Sequence, residues 1–390
     1  EIHREPRGAV LVIGPGNYPL LLPGVQILQA LAAGNGVLFK PAPGTGDLAA
    51  ALRDVWVAGG LPSDLFQILP EATDAVHEVI GAGVDFVVLT GSAAVGEAVM
   101  KSCAERLTPS VMELSGCDAV IICEDAEVEL AAQALAFGLR LNGGATCIAP
   151  RRVFVARRIA ERLEAHLTRQ LSTTAAFPAP AALVEQCKHL LNDADARAAA
   201  VLAGGLQDGH LMLPLVISGG AESRAQLDPE IFAPVLVITF VDTVEEAITL
   251  SQRCAYALGA SVFSRNEVEA RRIAGRLNAG VVLINDLVAP TADPRIPFGG
   301  RKRSGFGVTR GAEGLLTMTV PKVITSTHGT RRPHFAPVGE AEAGLFAGYI
   351  QTAHAGEWRQ RWNGLRQLWK ALKTFSRTKK AQPSHDFSHE

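Results

Sequence analysis

The stretch Ala9-Val10-Leu11-Val12-Ile13-Gly14-Pro15-Gly16-Asn17 is a short apolar run that ends in a glycine-rich polar turn. Similar apolar runs recur along the chain and alternate with segments of helical pattern. Because strands separated by helices form βαβ units, the pattern predicts an α/β protein with parallel sheets covered by helices on both faces. The other candidate strands are Val37–Lys40, Leu65–Leu69, Phe86–Thr90, Ser110–Leu114, Ala119–Cys123, Val153–Val155, Leu213–Ser218, Val235–Phe240, Gly259–Phe263 and Gly280–Ile284.

Polar or glycine-rich residues follow four of these strands, at the points where the strands end. The four segments are Gly14-Pro15-Gly16-Asn17, Lys40-Pro41-Ala42, Thr90-Gly91-Ser92 and Glu113-Leu114-Ser115-Gly116. Parallel sheets bind their ligands at the carboxyl ends of the strands. The sequence therefore predicts that these segments converge on one site.

Gly91 and Ser92 precede a helical segment that reaches past Gly96. A helix N-terminus of this kind suits a phosphate group, although an ordinary N-cap by Ser92 explains the same residues. The dinucleotide fingerprint G-x-G-x-x-G is absent from the sequence. Any nucleotide is therefore expected to be held in another way.

A cysteine, Cys147, follows the glycine-rich run Asn142-Gly143-Gly144. Glycines let the backbone turn tightly and bring its N–H groups close to a substrate. A thiol in such a turn can attack a carbonyl carbon while those N–H groups face the oxygen that becomes negative. The alternative is a small buried hydrophobic residue at the end of a helix, because free cysteines are usually buried and inert.

The composition restricts the classes of function. The 390 residues suffice for two or three domains, and 48% apolar with 19% charged residues is typical of a globular chain. A formal net charge of −2 gives no reason to expect a nucleic-acid partner. The six cysteines contain no C-x-x-C pair, so we expect reduced thiols, no zinc or other metal site, and a cytoplasmic location. No apolar run approaches the roughly 20 residues that span a bilayer, and no signal peptide is recognisable.

The sequence changes character after about Gly329. The segment 353–380 contains three of the four tryptophans, Trp358, Trp362 and Trp369, together with many Lys and Arg residues. The spacing of Trp362, Leu365, Trp369 and Leu372 predicts an amphipathic helix. A basic amphipathic helix either contacts an anionic membrane or a partner protein, or packs on its own domain.

Taken together, these stretches resemble the aldehyde dehydrogenase superfamily over roughly residues 5–325. Each motif is short, but the whole ordered series is specific. The motifs are Gly14-Pro15-Gly16-Asn17-Tyr18-Pro19, Lys40-Pro41-Ala42, Thr90-Gly91-Ser92 with Val95-Gly96, Met112-Glu113-Leu114-Ser115-Gly116, Asn142-x-Gly144-x-x-Cys147-x-Ala149, Pro229-Glu230-Ile231-Phe232-Ala233-Pro234, Asn285 and Pro297-Phe298-Gly299-Gly300.

The resemblance implies roles for three catalytic residues. Cys147 would add to an aldehyde to form a thiohemiacetal. The side-chain amide of Asn17 and the backbone N–H of Cys147 would bind the oxyanion. Transfer of hydride to the nicotinamide would then leave a thioester. Glu113 would activate the water that hydrolyses this thioester. Among the six cysteines, Cys147 is therefore expected to be the reactive thiol.

The resemblance also implies NAD or NADP as the cofactor. Lys40 matches the lysine that holds the adenosine ribose, and Ser92, with Gly91 and Gly96, matches the pyrophosphate site. Glu230 matches the carboxylate on the nicotinamide ribose, and Phe232 lies beside the ring. Pro43 stands where NAD-preferring members often carry a glutamate, so NADP is expected to be tolerated.

The implied fold consists of two doubly wound parallel-sheet domains with oligomerisation strands and a C-terminal helical tail. We expect a partial dinucleotide-binding domain over 1–115, with 1–7 as an oligomerisation strand, and a catalytic domain over 116–314. A second oligomerisation strand over 315–328 and a tail over 329–390 complete the chain. Paired end strands imply a homodimer or homotetramer, with pairing inside one chain as the alternative.

This sequence departs from the family in two respects that bear on function. Family members carry a long segment before the strand at Ala9, so the chain resembles an N-terminally truncated member with an added tail. Ser115 and Cys117 replace the usual glycine and lysine after Glu113.

Two other functions are compatible with the sequence. A CoA-acylating member would resolve the thioester with CoA, but such an enzyme does not need Glu113. A non-catalytic scaffold would bind a partner through its tail, but such a protein does not need Asn17, Glu113 and Cys147 together. The identity of the aldehyde has no readable code in the sequence.

Overall fold

The computed structural model describes residues 1–219, 231–329, 332, 335 and 339–381. The strands are β1 Ile2–Pro6, β2 Ala9–Ile13, β3 Gly36–Lys40, β4 Phe66–Ile68, β5 Phe86–Thr90, β6 Ser110–Glu113, β7 Asp118–Ile122, β8 Pro150–Ala156, β9 Phe177–Pro178, β10 Ala200–Gln207, β11 Leu211–Gly219, β12 Val235–Val241, β13 Tyr256–Ala257, β14 Gly259–Phe263, β15 Val281–Ile284, β16 Arg301–Lys302, β17 Gly305–Phe306 and β18 Thr319–Val323. The helices are α1 Leu21–Ala32, α2 Gly46–Ala58, α3 Asp74–Ala82, α4 Ala93–Arg106, α5 Val128–Arg140, α6 Ala160–Leu171, α7 Ala181–Ala196, α8 Val244–Gln252, α9 Glu267–Ala274, α10 Gly311–Thr317, α11 Glu340–His354 and α12 Trp358–Ala381. The chain divides into two compact units, Glu1–Ile324 and Thr325–Glu390.

The first sheet has six strands in the order β17-β6-β5-β2-β3-β4. All of its pairs are parallel except that of β17 with β6. Val10 and Val12 pack under α1 and α2 on one face, whereas Leu11 and Ile13 pack under α3 and α4 on the other. Alternate residues of a strand face opposite sides, so an unbroken apolar run is what a sheet covered on both faces requires.

The second sheet has eight strands, and its main path is β10-β11-β12-β8-β7-β14-β15. Along this path, all neighbouring pairs between β11 and β15 are parallel. Helices α5 and α6 cover one face of the sheet, and α8 and α9 cover the other. In α5, Ala132, Leu135, Ala136 and Leu139 are fully buried at helical spacing. Burial of each leucine stabilises the fold by about 1.5–3 kcal/mol. These two sheets confirm the predicted α/β fold.

The second half of the chain contains elements that were not predicted from the sequence. Residues 172–182, expected to form a surface loop, contain the short strand β9, which pairs with β11, and half-buried Phe177 packs on the core there. The helix α7 begins at Ala181, and neither α7 nor the antiparallel strand β10 was predicted. Within the range assigned to the catalytic domain, β17 adds to the first sheet.

The predicted strand over 315–328 was only partly correct. Residues Gly311–Thr317 form the helix α10, and the strand is limited to β18. This strand pairs with β1 of the same chain in an antiparallel ribbon that joins Ile2 to Val323 and Pro6 to Thr319. The observed pairing is the intrachain alternative. The ribbon still has outer edges, so the homodimer or homotetramer stays a prediction.

The second unit contains the helical hairpin α11–α12. The predicted helix over 353–380 begins instead at Trp358, because residues 355–357 form the turn between the two helices. The helices approach closely at small residues, since a Cβ added at Gly348 would lie 2.6 Å from the backbone nitrogen of Leu368. In the described part of the chain, no helix is both long enough and apolar enough to cross a membrane.

Candidate active site

The turn that carries Cys147 begins where α5 ends at Arg140. Asn142, Gly143 and Gly144 take the left-handed φ values of 52°, 59° and 75°. Glycine and asparagine adopt this conformation with the least strain. At Gly144 an added Cβ would also lie 2.3 Å from the backbone nitrogen of Pro234. The sequence Asn-Gly-Gly is therefore what allows the chain to reverse here and present Cys147.

Arg151 holds this turn in place through two hydrogen bonds. Its side chain is buried, and it donates from Nη2 to the carbonyl of Gly144 at 2.6 Å and from Nη1 to the carbonyl of Ala233. Burial lowers the pKa of the Arg151 guanidinium to about 10. The sequence shows only that two arginines follow Cys147. Their different roles were not predicted, because both acceptors are backbone carbonyls that leave no sequence signal.

Asn17, at the carboxyl end of β2, is bound directly to the cysteine turn. Its Nδ2 donates to the carbonyl of Ala145 at 3.0 Å, and its own carbonyl accepts from Asn142 Nδ2 at 3.0 Å. The neighbouring Tyr18 hydroxyl lies 2.7 Å from the hydroxyl of Thr146. The structure therefore brings Asn17 and Cys147 together, although they come from different sheets.

Cys147 lies where two cavities meet. One cavity, of about 320 Å³, is lined by Asn17, Glu113, Cys147 and residues of the first sheet. The other, of about 300 Å³, is also lined by Cys147 and has a mostly apolar lining. Burial, reinforced by the carboxyls of Glu113 and Asp118 and opposed by Arg310, raises the pKa of the Cys147 thiol to about 12. The free protein therefore holds Cys147 as a thiol at neutral pH.

Glu113 ends β6 and faces the first cavity as a buried carboxyl group. Its Oε2 accepts from the Thr309 hydroxyl at 2.9 Å, and its Oε1 lies 3.8 Å from Arg310 Nη2 and has no hydrogen-bond partner among the described residues. Burial raises the pKa of Glu113 above its usual value, and Arg310 and the Thr309 hydrogen bond oppose that rise. One oxygen is thus anchored, while the other is available to accept a proton.

Thr309 and Arg310 were missed at the sequence level. They follow the Pro297-Phe298-Gly299-Gly300 segment, and Thr309 pairs with Phe298 through two backbone hydrogen bonds of 2.8 Å each. The Arg310 guanidinium also stacks over the Phe298 ring at 4.3 Å. The only available signal was proximity in sequence to a recognised motif.

The predicted pyrophosphate residues lie together at the first cavity. Gly91 and Ser92 line it, and the Ser92 side chain accepts from the Val95 N–H at 3.3 Å as the N-cap of α4. Gly96 packs against Leu114, where an added Cβ would lie 2.7 Å from the leucine Cδ2. Phe232, which is 42% exposed, also lines this cavity. Glu230 lies outside the described residues.

Lys40 ends β3 and is not one of the residues that line the first cavity, but its carbonyl accepts from the N–H of Gly14 at 3.0 Å. Its side chain is buried. Desolvation lowers the pKa of its amine, and the charge of nearby Glu71 opposes this lowering. The Glu71 carboxylate accepts from the N–H groups of Gly44 at 2.8 Å and Gly46 at 2.6 Å. A carboxylate therefore lies near Lys40 even though Pro43 lacks one. Tolerance of NADP, predicted from Pro43 alone, therefore stays a prediction.

Comparisons with known proteins identify the family. The model of the aldehyde dehydrogenase family matches residues 1–324. A relative from Methylomonas sp, 4,4'-diapolycopene aldehyde oxidase, is 30% identical over 388 residues, covering 96% of this chain and 73% of that protein. The crystal structure of an NAD-dependent aldehyde dehydrogenase from Sinorhizobium meliloti is similar with a TM-score of 0.78 and 28% identity, covering 86% of this chain and 70% of that one.

A second solved structure carries a bound cofactor. It is the NADP-dependent glyceraldehyde-3-phosphate dehydrogenase from Bacillus halodurans, complexed with NADP. The similarity has a TM-score of 0.75 and 30% identity, and it covers 82% of this chain and 69% of that one. The family match, the two-sheet fold and the convergence of Asn17, Glu113 and Cys147 lead to one conclusion: this chain belongs to the aldehyde dehydrogenase family, oxidoreductases that act on aldehydes.

Proposed function

We propose that this chain oxidises an aldehyde to a carboxylic acid with NAD or NADP and that water resolves the acyl-enzyme. The observation that carries the proposal is that Cys147 and Glu113 line one cavity and that, within the described residues, Glu113 Oε1 has no hydrogen-bond donor. A buried carboxylate oxygen without a hydrogen-bond donor is costly, and such groups are typical of functional sites.

The lining of the first cavity fits a dinucleotide. The first turn of α4 presents backbone N–H groups beside Gly91 and Ser92, which suits a pyrophosphate, and Gly96 allows α4 to pack closely on Leu114, which lines the same cavity. Phe232 offers an aromatic surface, and Lys40 offers a cation for the ribose hydroxyls. When it is bound, the nicotinamide group supplies an acceptor for hydride.

Cys147 would form the covalent bond to the substrate. The Cys147 thiol must lose its proton, because only the thiolate is a strong nucleophile. As Sγ attacks the carbonyl carbon, charge develops on the carbonyl oxygen. An amide NH₂ group has two donors, and Asn17 Nδ2 uses one of them on Ala145. The second donor, with the backbone N–H of Cys147, would bind the oxyanion, and loss of one such donor typically costs about 100- to 1,000-fold in rate.

Glu113 would accept the proton of the water that attacks the resulting thioester. Its anchored Oε2 and free Oε1 give the carboxylate a fixed orientation with one basic atom in the cavity. Such an arrangement favours hydrolysis over CoA acylation, because CoA brings its own nucleophile. It also disfavours a purely structural role, since a scaffold has no use for a buried carboxylate oxygen without a hydrogen-bond donor.

A Glu113→Gln variant tests this assignment. In rapid-mixing experiments with aldehyde and cofactor, we expect one burst of reduced cofactor followed by a steady state about 100- to 10,000-fold slower than in the parent. Mass spectrometry of the stalled protein should find the acyl group on Cys147. A steady-state rate equal to that of the parent would contradict the role of Glu113.

The second cavity favours a hydrophobic substrate. Its walls include Leu21, Leu141, Ile148, Val288 and Phe298. An aliphatic or aromatic chain that displaced water from this cavity would gain binding free energy through the burial of apolar surface. The relative from Methylomonas is named as an oxidase of 4,4'-diapolycopene aldehyde. We expect kcat/KM to rise about ten-fold for each two methylenes added to an alkanal until the cavity is filled. A higher kcat/KM for succinate semialdehyde than for an alkanal of equal length would contradict this preference.

The surroundings of the enzyme are also part of the proposal. The six cysteines are all free, which suits the cytoplasm. We propose that α12 contacts an anionic lipid surface and that the β1–β18 ribbon takes part in a homodimer or homotetramer. Light scattering at micromolar concentration tests the oligomer, and the mass of a single chain would exclude it.

Steady-state kinetics with each cofactor test the tolerance of NADP, which a preference for NAD above about 1,000-fold would refute.

A further inference from the structure

Two cysteines that take no part in the proposed chemistry lie side by side in the first unit. Cys117 ends the segment that links β6 to β7, and Cys254 lies in the turn between α8 and β13. Cys254 packs on a small buried cluster of Ala93, Cys117 and Tyr256. The two cysteines therefore lie in one small cluster, where each perturbs the pKa of the other. Residues far apart in sequence thus form a dithiol pair.

Polar contacts hold the two backbone segments together around this pair. Arg152 donates from Nη2 to the carbonyl of Cys117 at 2.9 Å and from Nη1 to the carbonyl of Ser251 at 3.1 Å. The Ser304 hydroxyl donates to the carbonyl of Ser115 at 2.7 Å and accepts from the N–H of Ala257 at 2.9 Å. The proximity of the two sulfurs is therefore built into the fold, which raises their effective concentration.

The two thiols differ in exposure and in electrostatic surroundings. Cys117 is 3% exposed, whereas Cys254 is only partly buried. The Cys254 Sγ accepts from the Tyr256 N–H at 3.4 Å. The hydrogen bond from Cys117, together with Arg152, Tyr256 N–H and Lys302, lowers the pKa of Cys254 despite its partial burial. Burial raises the pKa of the thiols of Cys103, Cys123, Cys147 and Cys187. Cys254 is thus the accessible thiolate, and Cys117 is its buried neighbour.

We propose that Cys117 and Cys254 form a reversible redox site, in which a peroxide converts the dithiol to a disulfide. The Cys254 thiolate attacks one peroxide oxygen, so that an S–O bond forms, the O–O bond breaks and hydroxide leaves as water. The Cys117 sulfur then attacks the Cys254 sulfur, so that the S–S bond forms and the S–O bond breaks. The Cys117 proton and the departing hydroxide give a second water. One hydrogen peroxide is reduced, and two thiols are oxidised.

The disulfide would restrict the movement of the segment that carries Glu113. Cys117 follows Glu113 by four residues, and Gly116 between them lies against the cysteine turn, where an added Cβ would be 2.4 Å from the Cys147 carbonyl oxygen. A covalent bond to the α8–β13 turn would tether this segment. The redox site is therefore placed next to the proposed catalytic groups without including either of them.

Peptide mapping of the full-length protein tests this site without any aldehyde. The protein is treated with stoichiometric hydrogen peroxide, alkylated and digested, with and without later reduction by dithiothreitol. We expect a peptide pair joined through Cys117 and Cys254 that disappears on reduction. A Cys103→Ser variant, which changes another buried cysteine, should give the same linked pair. In Cys117→Ser, the sulfenic acid of Cys254 should persist and be captured by dimedone.

Two results would overturn the proposal. One is oxidation of Cys254 to the sulfinic acid in the parent protein while Cys117 remains a free thiol, as its alkylation after unfolding would show. The other is a bridge from Cys254 to any cysteine except Cys117. If Cys117→Ser fails to fold, as circular dichroism would show, the mapping of the parent protein still decides. None of these readouts depends on aldehyde oxidation, so failure of the proposed function would be recognised separately.

Discussion

At the scale of single residues, the guanidinium of Arg310 and the hydroxyl of Thr309 together oppose the effect of burial on the pKa of the proposed general base. Thr309 donates to Glu113 Oε2, and no other hydrogen bond reaches that carboxyl group within the described residues. A donor favours the ionised form of a carboxyl group, so it opposes the rise in pKa that burial causes. The pH at which Glu113 can accept a proton therefore depends on Thr309.

A Thr309→Val variant should shift the acid limb of the pH–rate profile. Loss of the hydroxyl raises the pKa of Glu113 further, and the base works only when ionised, so activity should appear at a higher pH than in the parent. Thr309→Ser, which keeps the hydroxyl, should leave the acid limb in place. Steady-state rates measured over the pH range provide the test, and equal acid limbs in the valine variant and the parent would contradict it.

The two cysteines with perturbed surroundings show what the sequence can and cannot predict. The glycine-rich turn around Cys147 is a local motif, and the sequence was sufficient to select it. The environment of Cys254 depends on Arg152 and Cys117, which come from distant segments, so nothing in the sequence distinguishes it. The sequence predicts Cys147 as the reactive thiol, but in the free protein the pKa of Cys147 is raised and that of Cys254 is lowered, so iodoacetamide should label Cys254 first there. That result would identify an accessible thiolate rather than the catalytic residue.

At the scale of elements, most strands of the two sheets were predicted to within about two residues. Their apolar runs are buried on both faces, so the pattern is unbroken and easy to recognise. The strand β10 was missed because it lies at a sheet edge, where Gly204 and Gly205 interrupt an already short apolar pattern. Near Met318, the alternation of apolar residues predicted a strand, but the preceding residues form α10.

The helical hairpin offers a test of close packing between elements. A Gly348→Ala substitution should push α11 away from the backbone of α12 at Leu368, at a cost of about 1–3 kcal/mol that exceeds the gain in helix propensity. Hydrogen exchange of the α11 and α12 amides should therefore accelerate. Gly356→Ala is the matched control, because an added Cβ there meets nothing within 4 Å. Equal exchange in both variants would show that the helices are not packed in this way.

At the scale of the whole molecule, the hairpin presents large apolar side chains together with positive charge. Trp358, Trp362 and Trp369 are 75%, 47% and 63% exposed, and Lys373 Nζ lies 3.4 Å from the centre of the Trp369 ring. The α12 sequence contains eight Lys and Arg residues and no Asp or Glu. Interfacial tryptophans and basic residues are the combination that binds anionic lipid headgroups. The sequence predicted these residues correctly but left their partner open.

Co-sedimentation with vesicles tests that contact. Binding should be strong to vesicles containing phosphatidylserine, weak to pure phosphatidylcholine, and reduced by salt. A Trp362→Ala/Trp369→Ala variant should bind about ten-fold or more weakly, because both side chains lose apolar area. Val268→Ser changes an exposed apolar residue of the first unit and serves as the control. Equal binding by all three proteins, or no preference for the anionic lipid, would count against the membrane contact.

The pairing of β17 with β6 has a consequence for the order in which the chain is made. Glu113 and its partner Thr309 are 196 residues apart in sequence. A ribosome that adds about 5–20 residues per second needs ~10–40 s to pass from one to the other. During that interval the nascent first sheet lacks its closing edge strand β17, and the carboxyl group of Glu113 has not yet met its hydroxyl donor. The proposed active site can therefore assemble only late in synthesis, after most of the chain has emerged.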